Sequence, residues 1–216
     1  MCAKRTPEIA LDGLASLLAE LATPGGRAIV SLAGAPESGK SWQAEALEAR
    51  LNVRVAGMAA VLPIDGSHFD DLYLDPAGLR PRKDAPDTFD DGGLAHALRR
   101  LRARDEAAVA VPVFDRSIEI ARAGALLIPA EVPVIVVEGN YPLLDRAPWG
   151  DLAPLFDATV FLDVPEAVLR DRLLARWRDH GLPEAEARTK VDGNDLPNAH
   201  AVIAGSRAAD YWMAKG

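Results

Sequence analysis

Apolar residues gather in five short runs rich in Val, Ile and Leu, at residues 28–33, 59–64, 109–114, 133–138 and 158–163. Runs of this kind, with little polar alternation, predict strands buried on both faces, and the helical periodicity between them predicts helices laid over the strands. Strand and helix alternate, which predicts an α/β chain built on a parallel sheet. Ahead of the first run, the stretch Glu8–Glu20 has acids breaking its apolar face, which suits an amphipathic helix and not a secretory h-region. Thr23-Pro24-Gly25-Gly26 ends it. Between Asp65 and Phe89 the periodicity dissolves into Gly, Pro, Arg and Asp, so a long loop is expected there, of a length more often functional than idle. Helical spacing returns over Ala167–Trp177 and stops at Gly181-Leu182-Pro183; a last helix is expected after Pro197. The five runs end on small or polar residues, Gly34, Asp65, Asp115, Glu138 and Asp163, at the strand edge where open α/β sheets bind ligands.

Composition narrows the partners. The 216 residues are 49% apolar, enough for a full core in one domain. A formal net charge of -8 disfavours nonspecific attraction to nucleic acid or to an anionic membrane, and no apolar run is long enough to span a bilayer. The one cysteine, Cys2, excludes an intramolecular disulfide or a thiolate metal cage and fits a reducing, cytoplasmic setting.

The first run leads into Gly34-Ala35-Pro36-Glu37-Ser38-Gly39-Lys40-Ser41, which fits GxxxxGK[ST], and a run of good helix formers follows. In that context glycines let the loop turn tightly, backbone N–H groups point inward, and the helix presents the positive end of its dipole to phosphate. Lys40 is expected to reach the β- and γ-phosphates of ATP, and Ser41 to give an oxygen to Mg²⁺. Two further runs end in acids. Asp65, after Val61-Leu62-Pro63-Ile64, could take a proton from an attacking hydroxyl, although Asp also favours turns and caps. Glu138, after Val134-Ile135-Val136-Val137, could hold Mg²⁺ through water, with Gly139 letting a substrate approach the backbone; a strand-end Glu can also be an ordinary surface charge.

With these residues in place the chain resembles the branch of P-loop kinases that contains uridine kinase, phosphoribulokinase and bacterial pantothenate kinase. The likeness runs through DGSHFDD (65–71), RKDAPDTFD (82–90), PVFDR (112–116), VEGNYPLL (137–144), RDRLLARW (170–177) and NDLPNA (194–199). It is most similar to the bacterial group called fructose transport system kinases. The resemblance implies a three-layer α/β/α P-loop NTPase fold with a mostly parallel five-stranded sheet, residues 1–216 forming one domain with a lid near 170–195. It also implies roles. Asp65 stands where the family keeps its general base, His68 where uridine kinases place a Tyr beside the sugar, and Asp84 where an acid holds ribose hydroxyls. Phe114 and Arg116 align with a substrate-side segment, Asn140 follows on the acceptor side, and Arg172 and Arg176 correspond to lid arginines that neutralise the transferring phosphoryl group. Each has a plainer alternative: local hydrogen bonds for His68 and Asp84, a surface pair with Asp115 or Glu119 for Arg116, and a solvated helix face for the two lid arginines.

The sequence also departs from the family. Glu37 puts an acid in the phosphate loop where Gly or Ala is usual, and Trp42 follows Ser41 where Thr or Ser is typical. The tryptophans read as packing residues, and Asn194 and Asn198 either approach the adenine or serve turns and caps. The sequence predicts an ATP- and Mg²⁺-dependent kinase acting on a small hydroxyl-bearing molecule: a sugar, a nucleoside or a pantothenate-like alcohol. The competing expectation is a regulatory or GTPase-type nucleotide-binding module, but the chain has no NKxD segment to read guanine. Oligomeric state stays open, a homodimer included.

Overall fold

A computed structural model describes residues 6–23 and 25–214, so Cys2 and Pro24 lie outside the described residues. Its centre is set by two strands, β1 (Ala28–Gly34) and β5 (Val134–Gly139), in which every residue is buried. Such continuous burial requires neighbours on both edges and cover on both faces. The edges are supplied by β2 (Ala59–Pro63), β6 (Ala158–Asp163) and β7 (Tyr211–Ala214), in the order β2-β5-β1-β6-β7. Every pairing in this sheet is parallel.

Successive side chains point to opposite faces. Val30, Leu32, Val134 and Val136 meet Leu14 and Leu18 of α1 (Leu11–Leu21) and Leu47 and Leu51 of α2 (Lys40–Arg54). Ile29, Ile135 and Val137 meet Leu94, Leu98 and Leu101 of α4 (Asp91–Ala103), together with Tyr141, Trp149 and Val202. The result is the expected three-layer α/β/α arrangement, each fully buried Leu contributing about 1.5–3 kcal/mol. The remaining helices are α3 (Asp71–Leu74), α5 (Glu166–Asp179), α6 (Glu184–Lys190) and α7 (Leu196–Gly205), with a π-helical turn at Val191–Asp195. None of the helices among the described residues is long and apolar enough to cross a membrane.

One sheet assignment is corrected. The run at 109–114 does not join the parallel sheet. It is β3 (Ala108–Asp115), paired antiparallel with β4 (Ile120–Pro129) in a separate ribbon. Only one face of β3 reaches the core, through Val109 and Val111, and Pro112 interrupts its ladder. The fifth strand of the sheet is instead β7, only four residues long. Arg27 moors the ribbon: its buried guanidinium donates to the carbonyls of Leu101, Pro129, Ala130 and Val132 at 2.6–3.0 Å. Burial, and then the charge of Arg104, lower its pKa.

The segment expected as a long loop is a loop, tightened by α3 and by 3-10 turns at Ile64–Ser67, Arg80–Arg82 and Pro86–Thr88. Lys83 ties it to the ribbon, its Nζ donating to Asp71 at 2.8 Å and to the Glu119 carbonyl at 2.7 Å.

Candidate active site

The register of the sheet brings three chemical groups to one edge. Ala33 lies beside Gly139 and Pro63 beside Glu138, so the phosphate loop, Asp65 and Glu138 emerge together at the carboxyl ends of β1, β2 and β5. Strand order reverses around β1, the kind of point at which open parallel sheets bind ligands. The loop enters α2 through Gly39, whose φ of +86° is left-handed and favours glycine. Ala35 and Ser38 are buried beneath the loop, while Lys40 and Ser41 face a pocket of about 200 Å³.

That pocket gathers most of the expected residues. Pro36, Glu37, Gly39, Lys40, Ser41 and Trp42 line its donor side, and Asp65, Asp84, Arg116, Asn140 and Arg176 line the rest. Trp42, expected to pack, is instead 59% exposed at the rim. Ser41 Oγ donates to Glu138 Oε2 at 3.1 Å. Glu138 is buried, and that burial raises its carboxyl pKa against the pull of Lys40. The position of Gly139 has a cause other than substrate access: a Cβ there would sit 2.1 Å from Ile64 Cγ1, so glycine is required by packing between the ends of β5 and β2.

Asp65 sits in the turn after β2 and its Oδ2 accepts from Arg116 at 2.9 Å. Arg116 therefore pairs neither with Asp115 nor with Glu119; Asp115 is taken by Ser117 and Arg122. His68 does not line this pocket. Its ring is buried between Phe89 and Phe114, with centroids 3.9 and 4.9 Å away. Its Nδ1 lies 2.8 Å from the Asp65 carbonyl and its Nε2 3.1 Å from Asp84 Oδ1. Burial disfavours the charged imidazole, but the Asp84 hydrogen bond and the charges of Asp65 and Asp84 outweigh it and raise the pKa. The same bond lowers Asp84, overcoming the opposing effect of its burial. Phe114 is likewise a wall of this cage and not a pocket residue, with Lys83 Nζ 5.4 Å from its ring centroid.

Two of the four arginines of α5, Arg172 and Arg176, lean onto the phosphate loop. Arg176 Nη1 lies 3.3 Å from Glu37 Oε1, and Arg172 Nη1 donates to the Glu37 carbonyl at 3.3 Å. The acid that looked misplaced in a phosphate loop is thus paired with a cation of α5. The sequence reading missed Asp195, buried at the end of the π-helical turn, which lines the pocket and accepts from Trp177 Nε1 at 2.6 Å. It also missed Tyr141, whose Oη donates to the Asp84 carbonyl at 2.6 Å. Asn198 lines the pocket, while Asn194 donates to the Lys83 carbonyl at 3.2 Å.

No family model matches the chain. Individual proteins do. Over 201 residues it is 35% identical to the uncharacterised protein YggC of Escherichia coli, covering 91% of this chain and 82% of that protein. It is 30% identical over 194 residues to a Schizosaccharomyces pombe protein named "Putative uridine kinase C227.14", covering 87% of this chain and 83% of that one. Among solved structures, one from Silicibacter sp. TM1040, described as a "putative fructose transport system kinase", superposes with a TM-score of 0.87 at 42% identity. That superposition covers 94% of this chain and 98% of the other.

Proposed function

The chain belongs to the P-loop kinases and is an ATP-dependent phosphotransferase, and from that premise we propose that it transfers the γ-phosphoryl group of MgATP to a hydroxyl of a small polar molecule, with Asp65 as general base. The acceptor class is a sugar, a nucleoside or a pantothenate-like alcohol. The observation that carries this reading is the convergence of Lys40, Asp65 and Arg176 on one pocket, with the buried Glu138 bonded to the pocket residue Ser41. Phosphoryl transfer needs chiefly positioning and charge stabilisation, which this set supplies.

In the transfer step the acceptor oxygen bonds to the γ-phosphorus while the bond from that phosphorus to the β,γ-bridging oxygen breaks. The hydroxyl proton passes to the Asp65 carboxylate, and ADP leaves. Lys40 and Arg176 neutralise charge on the phosphoryl oxygens. Among the described residues no group of three or more His, Cys, Asp or Glu side chains forms a metal cage. A hydroxyl and one buried carboxylate in contact suit Mg²⁺, which takes few protein ligands and completes its shell with phosphate and water. Ser41 and Glu138 would hold it, and its charge would offset that of the phosphates.

The test is a mass-spectrometric search for phosphorylated product after incubation with MgATP and a panel of sugars, nucleosides and pantothenate. Product from at least one acceptor, absent in Lys40→Ala, is expected. ATP binding without product from any of them would reduce the chain to a nucleotide-binding module.

A further inference from the structure

Away from the phosphate loop, the pocket presents hydrogen-bond acceptors whose geometry is fixed from behind. Asp84 occupies a left-handed backbone conformation, with φ of +81°. Two contacts hold it there: Tyr141 Oη on its carbonyl at 2.6 Å and His68 Nε2 on its Oδ1 at 3.1 Å. Because His68 Nδ1 faces the Asp65 carbonyl, which can only accept, Nδ1 carries a proton, and the Nε2 contact raises the His68 pKa while lowering that of Asp84, favouring a charged Asp84. Asp195 is built the same way, with Trp177 Nε1 donating to its Oδ2 at 2.6 Å. Both acids thus line the pocket with one carboxylate oxygen anchored by a buried or half-buried ring N–H. A third acceptor, Asn140 Oδ1, is buried there with no hydrogen-bond partner.

The cations lining the pocket are already engaged. Arg116 is held by Asp65, Arg176 by Glu37, and Lys40 belongs to the phosphate loop. A bound triphosphate adds further negative charge. Such a space satisfies hydroxyl donors and repels a second anion, since a like charge beside Asp84 would be desolvated without a partner.

We propose that Asp195 reads non-reacting hydroxyls of an uncharged polyol acceptor, beside the Asp84 position that the family resemblance already assigns to sugar hydroxyls, and that acidic acceptors are excluded. This rests on the kinase reading above. It selects among the acceptors left open there, favouring sugars and nucleosides over pantothenate, and it makes Asp195 a specificity-determining residue.

The test uses the full chain with MgATP and matched neutral and acidic acceptors: ribose with ribonate, glycerol with glycerate, and pantothenol with pantothenate. Phosphorylated product is quantified by mass spectrometry. For the pair that is turned over, kcat/KM for the neutral member should exceed that for the acid by about 100-fold, as expected of a like-charge juxtaposition. Asp195→Asn should raise the acceptor KM about 10-fold, leave the KM for ATP unchanged and narrow the discrimination. Trp177→Phe, which removes the anchor and leaves the acid, should raise the acceptor KM in the same direction. Comparable turnover of the acidic member, or equal rises in both KM values in Asp195→Asn, would overturn the proposal while leaving the kinase reading intact. No product from any pair, with ATP still bound, would overturn both.

Discussion

Asp65→Asn separates chemistry from folding because the two depend on different atoms of one residue. The backbone carbonyl that receives His68 Nδ1 is untouched by the substitution. The side chain gives up its ion pair with Arg116, a 2.9 Å contact whose side chains are 62% and 26% exposed. A pair so open to water contributes at most about 1 kcal/mol, so the unfolding midpoint should move by no more than about 4 °C. The transfer step loses its proton acceptor, which should lower kcat by about 10²–10⁴, or about 3–5.5 kcal/mol of activation free energy. The gap between these two magnitudes makes the variant diagnostic. ADP release at saturating acceptor measures kcat, and calorimetry measures ATP affinity, which should stay within about twofold because the Asp65 side chain bonds to Arg116 and not to the phosphate loop among the described residues. Arg116→Ala is the matched control, losing the same ion pair while keeping the carboxylate; its kcat should fall by less than Asp65→Asn by at least about tenfold. A wild-type kcat in Asp65→Asn, or a loss as large in Arg116→Ala, would refute the base assignment.

Glu37→Ala should tighten ATP binding about two- to fivefold, because it removes a like charge beside the polyphosphate and releases Arg176 to it; weaker binding measured by calorimetry would contradict that. Gly139→Ala places a Cβ 2.1 Å from Ile64 Cγ1, an overpacking worth about 1–3 kcal/mol, so thermal unfolding should shift down by about 2–10 °C. His68 has a raised pKa in the folded state, so its stabilising contribution is complete below the unfolded pKa and is lost as pH rises through the folded one. The difference in unfolding midpoint between wild type and His68→Gln should therefore be widest near about pH 6 and shrink toward about pH 9; a difference independent of pH would mean that the ring contributes packing alone.

The legible parts of this chain are those whose cause is local. The strands β1 and β5 show as uninterrupted apolar runs because both faces of each are covered, and the phosphate loop is spelled by eight consecutive residues. The ribbon strand β3 misleads because Val109 and Val111 are buried as deeply as sheet residues. Pro112 within it was the available warning, since proline has no N–H for a central ladder. Strand β7 carries too few residues for any periodicity to register. In the candidate site, Lys40 was readable from the phosphate-loop motif, and Asp65 and Glu138 from strand ends. Asp195 was not, because its place depends on a π-helical turn and on Trp177 in another helix. The pairing of Arg116 with Asp65, across 51 positions, was equally invisible to spacing.

The contact between Glu37 and Arg176 joins the two halves of the site more closely than the motif alone would suggest. Glu37 has a φ of +59°, a strained value for a residue with a side chain, and its carbonyl and carboxylate each receive an α5 arginine. The loop acid therefore does for α5 what a phosphate would do: it gives the helix's cations a nearby anion. Because the pair is about one-third exposed on each side, it is weak enough for a triphosphate of higher charge to displace it. The same arginine also acts across the pocket on Asp84, whose pKa is lowered, and on Asp195, where it opposes the burial that raises the carboxyl. Arg176 thus stands between the donor loop and the acceptor acids, and any movement of it from Glu37 to phosphate alters the charge seen by the acceptor. If Asp84 and Asp195 read the acceptor as proposed, nucleotide affinity and acceptor selection are coupled through that one guanidinium, and the acid in the phosphate loop serves the whole pocket.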